Sequence, residues 1–175
     1  LQLGHWLWTG MPILSLDVKW NLVNITDLEP VDHENFRWHF KVKCTNCGEH
    51  KESWHYIIIN EEMEVPGSRG SSHLIEKCKL CLRVNTLTIV EDSMKSYSIE
   101  KNEEFQSILQ MDCRGIEPYQ FDPRNDWKGV GPDSNSPFDE IDLTEKEWSE
   151  YDEKIQEAVE INSFDFRFTH VHNKK

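Results

Sequence analysis

A chain of 175 residues with 37% hydrophobic and 11% aromatic content can bury a real core, as one domain or as two small halves packed together. It contains no run of about eighteen apolar residues, which excludes a transmembrane helix. The formal charge of −13 is unevenly placed: residues 1–90 carry nine Lys/Arg against eleven Asp/Glu, and residues 91–175 carry ten against twenty-one. An acidic body of this size repels phosphate backbones and anionic membranes, which opposes nucleic acid and membrane as partners, and solubility is the plain reason for the charge.

Leu1 to Gly10 has neither a basic start nor a proper apolar stretch, so it does not read as a signal peptide. Met11 reads as the natural initiator and residues 1–10 as an expression scar or extension, set aside from the fold. Five cysteines without an export signal point to a reducing compartment, the cytoplasm with the nucleus as a second location, where paired cysteines bind metal more often than they form disulfides.

Further along, the dominant period is two, which argues strands. Phe36, Trp38, Phe40 and Val42 share one face of a strand that delivers Cys44 at its end, while Arg37, His39, Lys41 and Lys43 share the other. Trp54 to Ile59 reads as the returning strand. Residues 64–72 are a loop by their glycines, proline and serines. Leu74-Ile75 leads into a second cysteine pair and Asn85 to Val90 leaves it as another strand. Phe105 to Cys113 alternates, with Phe105, Leu109, Met111 and Cys113 on one side. Residues 122–142 are rich in Asp, Pro, Gly, Ser and Asn and read as a long surface loop. Thr144-x-x-Glu147 has the form of a capping box, and Trp148, Tyr151, Ile155 and Val159 recur at the spacing of a short amphipathic helix. Phe164 to His172 alternates again as a closing strand. A faint echo aligns Val23–Pro30 with Met111–Pro118 at an offset of 88 residues; read as a duplication, it places Cys113 opposite Ile25, a core position.

The chemistry is concentrated in Cys44-Thr45-Asn46-Cys47 and Cys78-Lys79-Leu80-Cys81. Each pair can supply two thiolates from one tight turn, and four complete a tetrahedral shell for one Zn²⁺. Gly48 suits the positive φ that lets backbone N–H groups point at the sulfurs. The site would tie two neighbouring hairpin tips together. A closed four-sulfur shell has no open position for water or substrate, so it reads as structural. Its formal charge of about −2 would be offset by Lys41, Lys43, Lys77, Lys79 and Arg83, which also damp the sulfurs as nucleophiles. The rival is a metal-handling or thiol-redox protein that exchanges zinc or copper(I) at the two pairs. Thioredoxin-like dithiols, however, open a helix after a strand, whereas both pairs here lie between strands. A third reading is nucleic-acid binding by a zinc-ribbon-like unit, which the strand aromatics and nearby lysines permit and the acidic second half opposes.

The remaining candidates read as ordinary structure. Cys113 is a core thiol, His170 and His172 belong to a solvated tail, and Arg69 sits in a common turn rather than an anion nest. Asn24-Ile25-Thr26 matches a glycosylation acceptor, which means little without export. No Walker loop, dinucleotide fingerprint, metalloprotease helix or catalytic triad is present.

Asn24-Ile25-Thr26, Arg37-Trp38, Cys44-x-Asn46-Cys47-Gly48-Glu49, Trp54-x-Tyr56, Gly70-Ser71, Lys77-Cys78-Lys79-Leu80-Cys81, Cys113-Arg114-Gly115-x-Glu117-Pro118 and Trp148-x-x-Tyr151-Asp152-Glu153-Lys154 occur in this order. With them the chain resembles, from about Met11 to about Val171, the eukaryotic CXXC-motif-containing zinc-binding protein family. The resemblance implies a mainly β protein of two similar halves with zinc in the first only, the ligand role on Cys44, Cys47, Cys78 and Cys81, and no established catalytic activity. The residues before Met11 and the lysine-ended tail depart from the family and inherit no role.

Together these readings predict two small sandwich- or barrel-like β halves with one short helix: a zinc-bearing half at 11–93 and an acidic half at 94–175 without a metal site. The expected function is a monomeric zinc-binding protein, not an enzyme, acting through a protein partner.

Overall fold

Alternating apolar and polar side chains build this protein from antiparallel strands. The computed structural model describes residues 12–172, so the expectations for residues 1–10 and Met11 lie outside it. The first half contributes β1 (Ile13–Val23), β2 (Thr26–Pro30), β3 (Trp38–Cys44), β4 (His55–Ile57), β5 (Met63–Glu64), β6 (Ser71–Ser72), β7 (Leu74–Lys77) and β8 (Val84–Ile89). The second contributes β9 (Gln106–Arg114), β10 (Ile116–Asp122), β11 (Arg124–Val130), β12 (Pro137–Leu143), β13 (Trp148–Asp152) and β14 (Glu157–His170).

A six-stranded sheet runs in the order β13–β14–β1–β9–β8–β7, two three-stranded sheets run β10–β3–β4 and β12–β11–β2, and β5 pairs with β6. The long sheet has the same plan from either end: a hairpin, then the opening strand of a half. The small sheets exchange strands, since β10 joins the β3–β4 hairpin and β2 joins the β11–β12 hairpin. Two similar halves therefore share one sheet and each lends a strand to the other. The sequence echo falls on matching conformations, because Ile25 and Cys113 are both buried and Asp27 (φ 53°) and Gly115 (φ 77°) both turn left-handed.

The core is one cluster drawn from both halves. On β3, Trp38, Phe40 and Val42 point inward, while His39, Lys41 and Lys43 remain partly exposed. Trp127 of β11 meets Trp20 and Trp38 of the first half edge to face, with ring centroids 5.6 and 6.1 Å apart. Burying such rings is the larger favourable contribution, and each edge-to-face pair adds about 0.5–1.5 kcal/mol beyond the area it removes from water. Of the apolar side expected on 105–113, Leu109, Met111 and Cys113 are buried and Phe105 is half-buried.

Two expectations are corrected. Residues 122–142 are not a long surface loop. They form the β11–β12 hairpin around buried Trp127, whose indole Nε1–H donates to the Pro123 carbonyl at 2.8 Å. The turn-forming residues that suggest a loop make the hairpin's own connection at 131–136 and serve irregularities of the ladder, where Arg124 and Asp126 have φ of 52° and 68°. The short helix over 144–159 does not form either; the helical content among the described residues is a 3₁₀ turn, Ile99–Lys101. Thr144 Oγ1 donates to Asp142 instead of capping a helix. Lys146 (φ 65°) and Gln156 (φ 55°) are left-handed, which an α-helix does not accept. Trp148 and Tyr151 instead pair across to Ile161 and Ala158 in the β13–β14 hairpin. A short helix is marginal by itself, whereas this hairpin buries Val159 and Ile161 by pairing β14 with β1.

Candidate metal centre

Each cysteine pair lies in a turn that closes a hairpin, and the two turns are built alike. In the first, between β3 and β4, Cys44 N–H donates to Glu49 O at 2.8 Å and Gly48 N–H to Cys44 O at 2.9 Å. In the second, between β7 and β8, Cys78 N–H donates to Arg83 O at 2.8 Å and Leu82 N–H to Cys78 O at 2.9 Å. The left-handed position of each turn is Gly48 (φ 78°) and Leu82 (φ 63°), as the sequence predicts for Gly48. This curl aims main-chain N–H groups at sulfur: those of Cys47 and Asn46 reach Cys44, and that of Arg83 reaches Cys81.

The hairpins belong to different sheets, and their tips bring the four predicted sulfurs to within 4.8 Å of one another. Cys44 Sγ is 3.7 Å from Cys81 Sγ, and Cys47 Sγ is 3.5 Å from Cys78 Sγ. A tetrahedral four-sulfur shell with metal–sulfur bonds of about 2.3 Å has edges of about 3.8 Å, so the spacing suits one ion of that kind. Cys44 and Cys78 are buried, Cys81 is half-buried and Cys47 is exposed. The four thiols differ in acidity. The N–H groups of Cys47 and then Asn46, with the Asn85 amide, bring Cys44 down to about 6. Cys78 also receives N–H groups, from Cys81 foremost, yet burial and the facing Glu49 carboxylate push it up to about 12.

The surroundings contain groups that spacing does not reveal. Buried Asn85 on β8 donates its Nδ2 to Cys44 Sγ at 3.5 Å. Asn85 is seated by Gly115, where an added Cβ would lie 2.2 Å from its Oδ1, and Gly115 O accepts from Thr45 N–H at 3.0 Å. Gly115 is visible in the sequence as part of Cys113-Arg114-Gly115, but its tie to the cysteine turn crosses 70 residues and leaves no local trace. Glu49 Oε2 accepts from the Cys78 thiol at 3.1 Å. Of the neighbouring cations, Lys41 pairs with Glu52, and Arg83 donates to Asn46 Oδ1, within the first cysteine turn, at 3.0 Å.

The second half repeats both turns without sulfur. Gly131 N–H donates to Ser136 O at 2.9 Å and Asn135 N–H to Gly131 O at 3.0 Å, as Cys44, Glu49 and Gly48 do in the first half. Gln156 N–H donates to Asp152 O at 2.8 Å, as Leu82 does to Cys78. Gly131, Ser134, Asp152 and Ile155 thus stand where the four cysteines stand. Buried Asp152 closes the gap, accepting from Ser134 Oγ and from Ser136 Oγ at 2.9 Å.

The other candidates stay apart from this centre. Cys113 is buried in the core and its thiol is pushed well up by burial. His170 is exposed at the end of β14, and among the described residues no other cluster of His, Cys, Asp and Glu has the spacing for a metal. Arg69 lies in the exposed loop between β5 and β6. A cavity of about 750 Å³ lined by Glu34, Glu62, His73, Glu91 and Met94 includes none of the cysteines. Both ring nitrogens of His73 are committed there, to Ile89 N–H and to Ile59 O. No helix among the described residues is long and apolar enough to cross a membrane.

The fold and this site define a mainly β protein with four cysteines positioned to hold one metal ion. Residues 15–169 match the family described as CXXC motif containing zinc binding protein, eukaryotic, and the chain belongs to it. A UPF0587 protein of Caenorhabditis elegans is 54% identical over 165 residues, which cover 94% of this chain and 99% of that protein. The CXXC motif containing zinc binding protein of Homo sapiens is 43% identical over 155 residues, covering 89% and 96%. Among solved structures, that titled Crystal Structure of C1orf123 is similar with a TM-score of 0.86 and 42% identity, covering 91% of this chain and 99% of that one. A hypothetical protein from Plasmodium falciparum shares the fold at a TM-score of 0.80 and 22% identity, covering 91% and 100%.

Proposed function

We propose that Cys44, Cys47, Cys78 and Cys81 hold one zinc ion per chain as a structural staple, and that the protein works through its surface on a protein partner, without catalysis. The observation that carries this reading is the four-sulfur set: four sulfurs from two hairpins of different sheets, with edges of 3.5 and 3.7 Å, and among the described residues no fifth ligand atom grouped with all four within 4.8 Å. Thiolates in a tetrahedron suit Zn²⁺, and such a site contributes on the order of 10–16 kcal/mol of apparent binding free energy to folding. An interaction role is supported by apolar side chains left in water, among them Leu80 and Leu82 beside Cys81 and Trp54 and Tyr56 on β4 and its approach. The test is metal content by native mass spectrometry with a timed chelator challenge on the same sample. One tightly held zinc per chain and unfolding on its removal are expected; full retention of fold and melting temperature after strict chelation would sink the staple.

A second reading, exchange of zinc or copper(I) with a partner, is favoured by the exposure of Cys47. It requires quick metal transfer from a protein that stays folded, so release over many hours to a competing chelator would count against it.

A further inference from the structure

We propose that the outer face of the β10–β3–β4 sheet docks an acidic, extended segment of a protein partner. The inference rests on the interaction reading above and names its surface. The alternation that buries Trp38, Phe40 and Val42 turns His39 and Lys41 outward, and antiparallel register sets Tyr56 and Asp122 on either side of His39. Trp54 and Tyr56 remain 39% and 50% exposed. Cations lie over both rings: Lys41 Nζ is 5.3 Å and Arg124 Cζ 5.6 Å from the Trp54 centroid, and Arg37 Cζ is 5.0 Å from that of Tyr56. Beside Trp54 a cleft of about 250 Å³ opens between Phe164, Phe166 and Lys146, with Asp122 and Asp165 also on its wall, so it suits an apolar side chain of the occupant rather than a carboxylate.

A chain of charge −13 here gathers cations around two exposed aromatics. Some of the charge is answered locally, since Asp122 takes Arg124 and Lys146, and Glu52 takes Lys41. Arg37 has no carboxylate within ion-pair distance among the described residues. Cations stacked on rings are already partly ordered, so less side-chain entropy is lost when they meet a carboxylate. Trp, Tyr and Arg are also the side chains that concentrate at the centres of protein interfaces. The complementary occupant carries a carboxylate for Arg37 first, then carboxylates that share Lys41 and Arg124 with Glu52 and Asp122, and apolar side chains for Trp54, Tyr56 and the cleft. β4 is an edge strand, along which an extended segment can lie with alternate side chains facing the patch. Charge screening selects a short peptide over nucleic acid. With a Debye length of about 8 Å, a short segment feels only the patch, whereas a long polyanion runs on to the acidic flanks.

The test uses the full, zinc-loaded chain and a short fluorescent peptide of alternating glutamate and leucine, followed by anisotropy at low and physiological salt. Controls are a lysine–leucine peptide and a single-stranded RNA of equal charge. Arg37→Glu with Lys41→Glu should weaken the acidic peptide about tenfold, and Trp54→Ala severalfold, with metal content and melting temperature unchanged. The milder pair Arg37→Gln and Lys41→Gln keeps the comparison available should charge reversal disturb folding. No binding of the acidic peptide at low salt, binding that the substitutions leave unchanged, or a preference for the RNA would each overturn the proposal. Chelation of the unaltered protein reports separately on the staple: a folded apo protein that still binds the peptide would sink the staple and leave the docking face standing.

Discussion

Asp152 occupies in the second pair of turns the place that Cys78 occupies in the first. Cys78 O accepts from Leu82 N–H and Asp152 O from Gln156 N–H, and both side chains point across to the facing turn. Where the first half has sulfurs at the spacing of a metal shell, the second has a carboxylate bridging Ser134 and Ser136, which also accepts from Lys154 N–H at 3.0 Å. In the second half a carboxylate joins the two hairpin tips; in the first, four sulfurs stand at the matching place.

The Asp152 staple makes a prediction about pH. The Ser134 hydroxyl foremost, with the Lys154 N–H and Ser136, holds its carboxyl below the usual carboxylate range. A depressed folded-state value means that the contribution is present above the ordinary Asp value of about 4 and is lost as pH falls through the folded one. Asp152→Asn should therefore lower the melting temperature at neutral pH, and its gap from the unaltered protein should shrink on acidification. A gap constant down to the acid transition would show that the charge is not the staple.

Gly115→Ala tests the seat of the cysteine turn. A Cβ at φ 77° would strain the backbone by about 1–2 kcal/mol. It would also press on Asn85 Oδ1 and dislodge the amide from Cys44. We expect a lower melting temperature together with faster metal loss to a chelator. Strain without faster loss would separate Asn85 from the hold on the metal.

Replacing single cysteines sorts ligands from core. Cys78→Ser should remove metal from the purified protein and lower its melting temperature steeply, whereas Cys113→Ala should keep one metal per chain. The cost at Cys113 is a small buried void, about 1–2 kcal/mol in chemical denaturation. Retention of a full complement of zinc in Cys78→Ser would remove that residue from the ligand set.

Trp127→Ala probes the hairpin that composition alone suggests is a loop. Trp127 is buried between Trp20 and Trp38, so truncation should cost about 3–5 kcal/mol, read as a shift in the urea midpoint. A shift typical of a surface loop, below about 0.5 kcal/mol, would contradict the packing.

Both cysteine turns are legible because their determinants are local. Two thiols separated by two residues, with strand-like segments on each side, suffice to draw one knuckle; the left-handed position after the pair is legible at Gly48 but not at Leu82. The β3 strand is legible for the same reason, since Trp38, Phe40 and Val42 alternate without interruption. The β11–β12 hairpin is not, because its stability comes from pairing Trp127 with Pro30 of β2, 97 residues earlier, while its own Asp, Pro and Gly residues signal turns. The β13–β14 hairpin is obscured by the opposite accident: Trp148, Tyr151, Ile155 and Val159 fall at helical spacing, and only the partnership of β14 with β1 selects strands.

By itself, then, the sequence determined the two cysteine pairs, the four thiols they offer and the left-handed position at Gly48, since these depend on neighbours within a few residues. Tertiary structure alone decided that the two turns meet, that Asn85 and Gly115 support Cys44, and that Asp152 bridges the matching gap. Those contacts join segments tens of residues apart, and what brings them together is the burial of one core shared by both halves and the exchange of β2 and β10 between them.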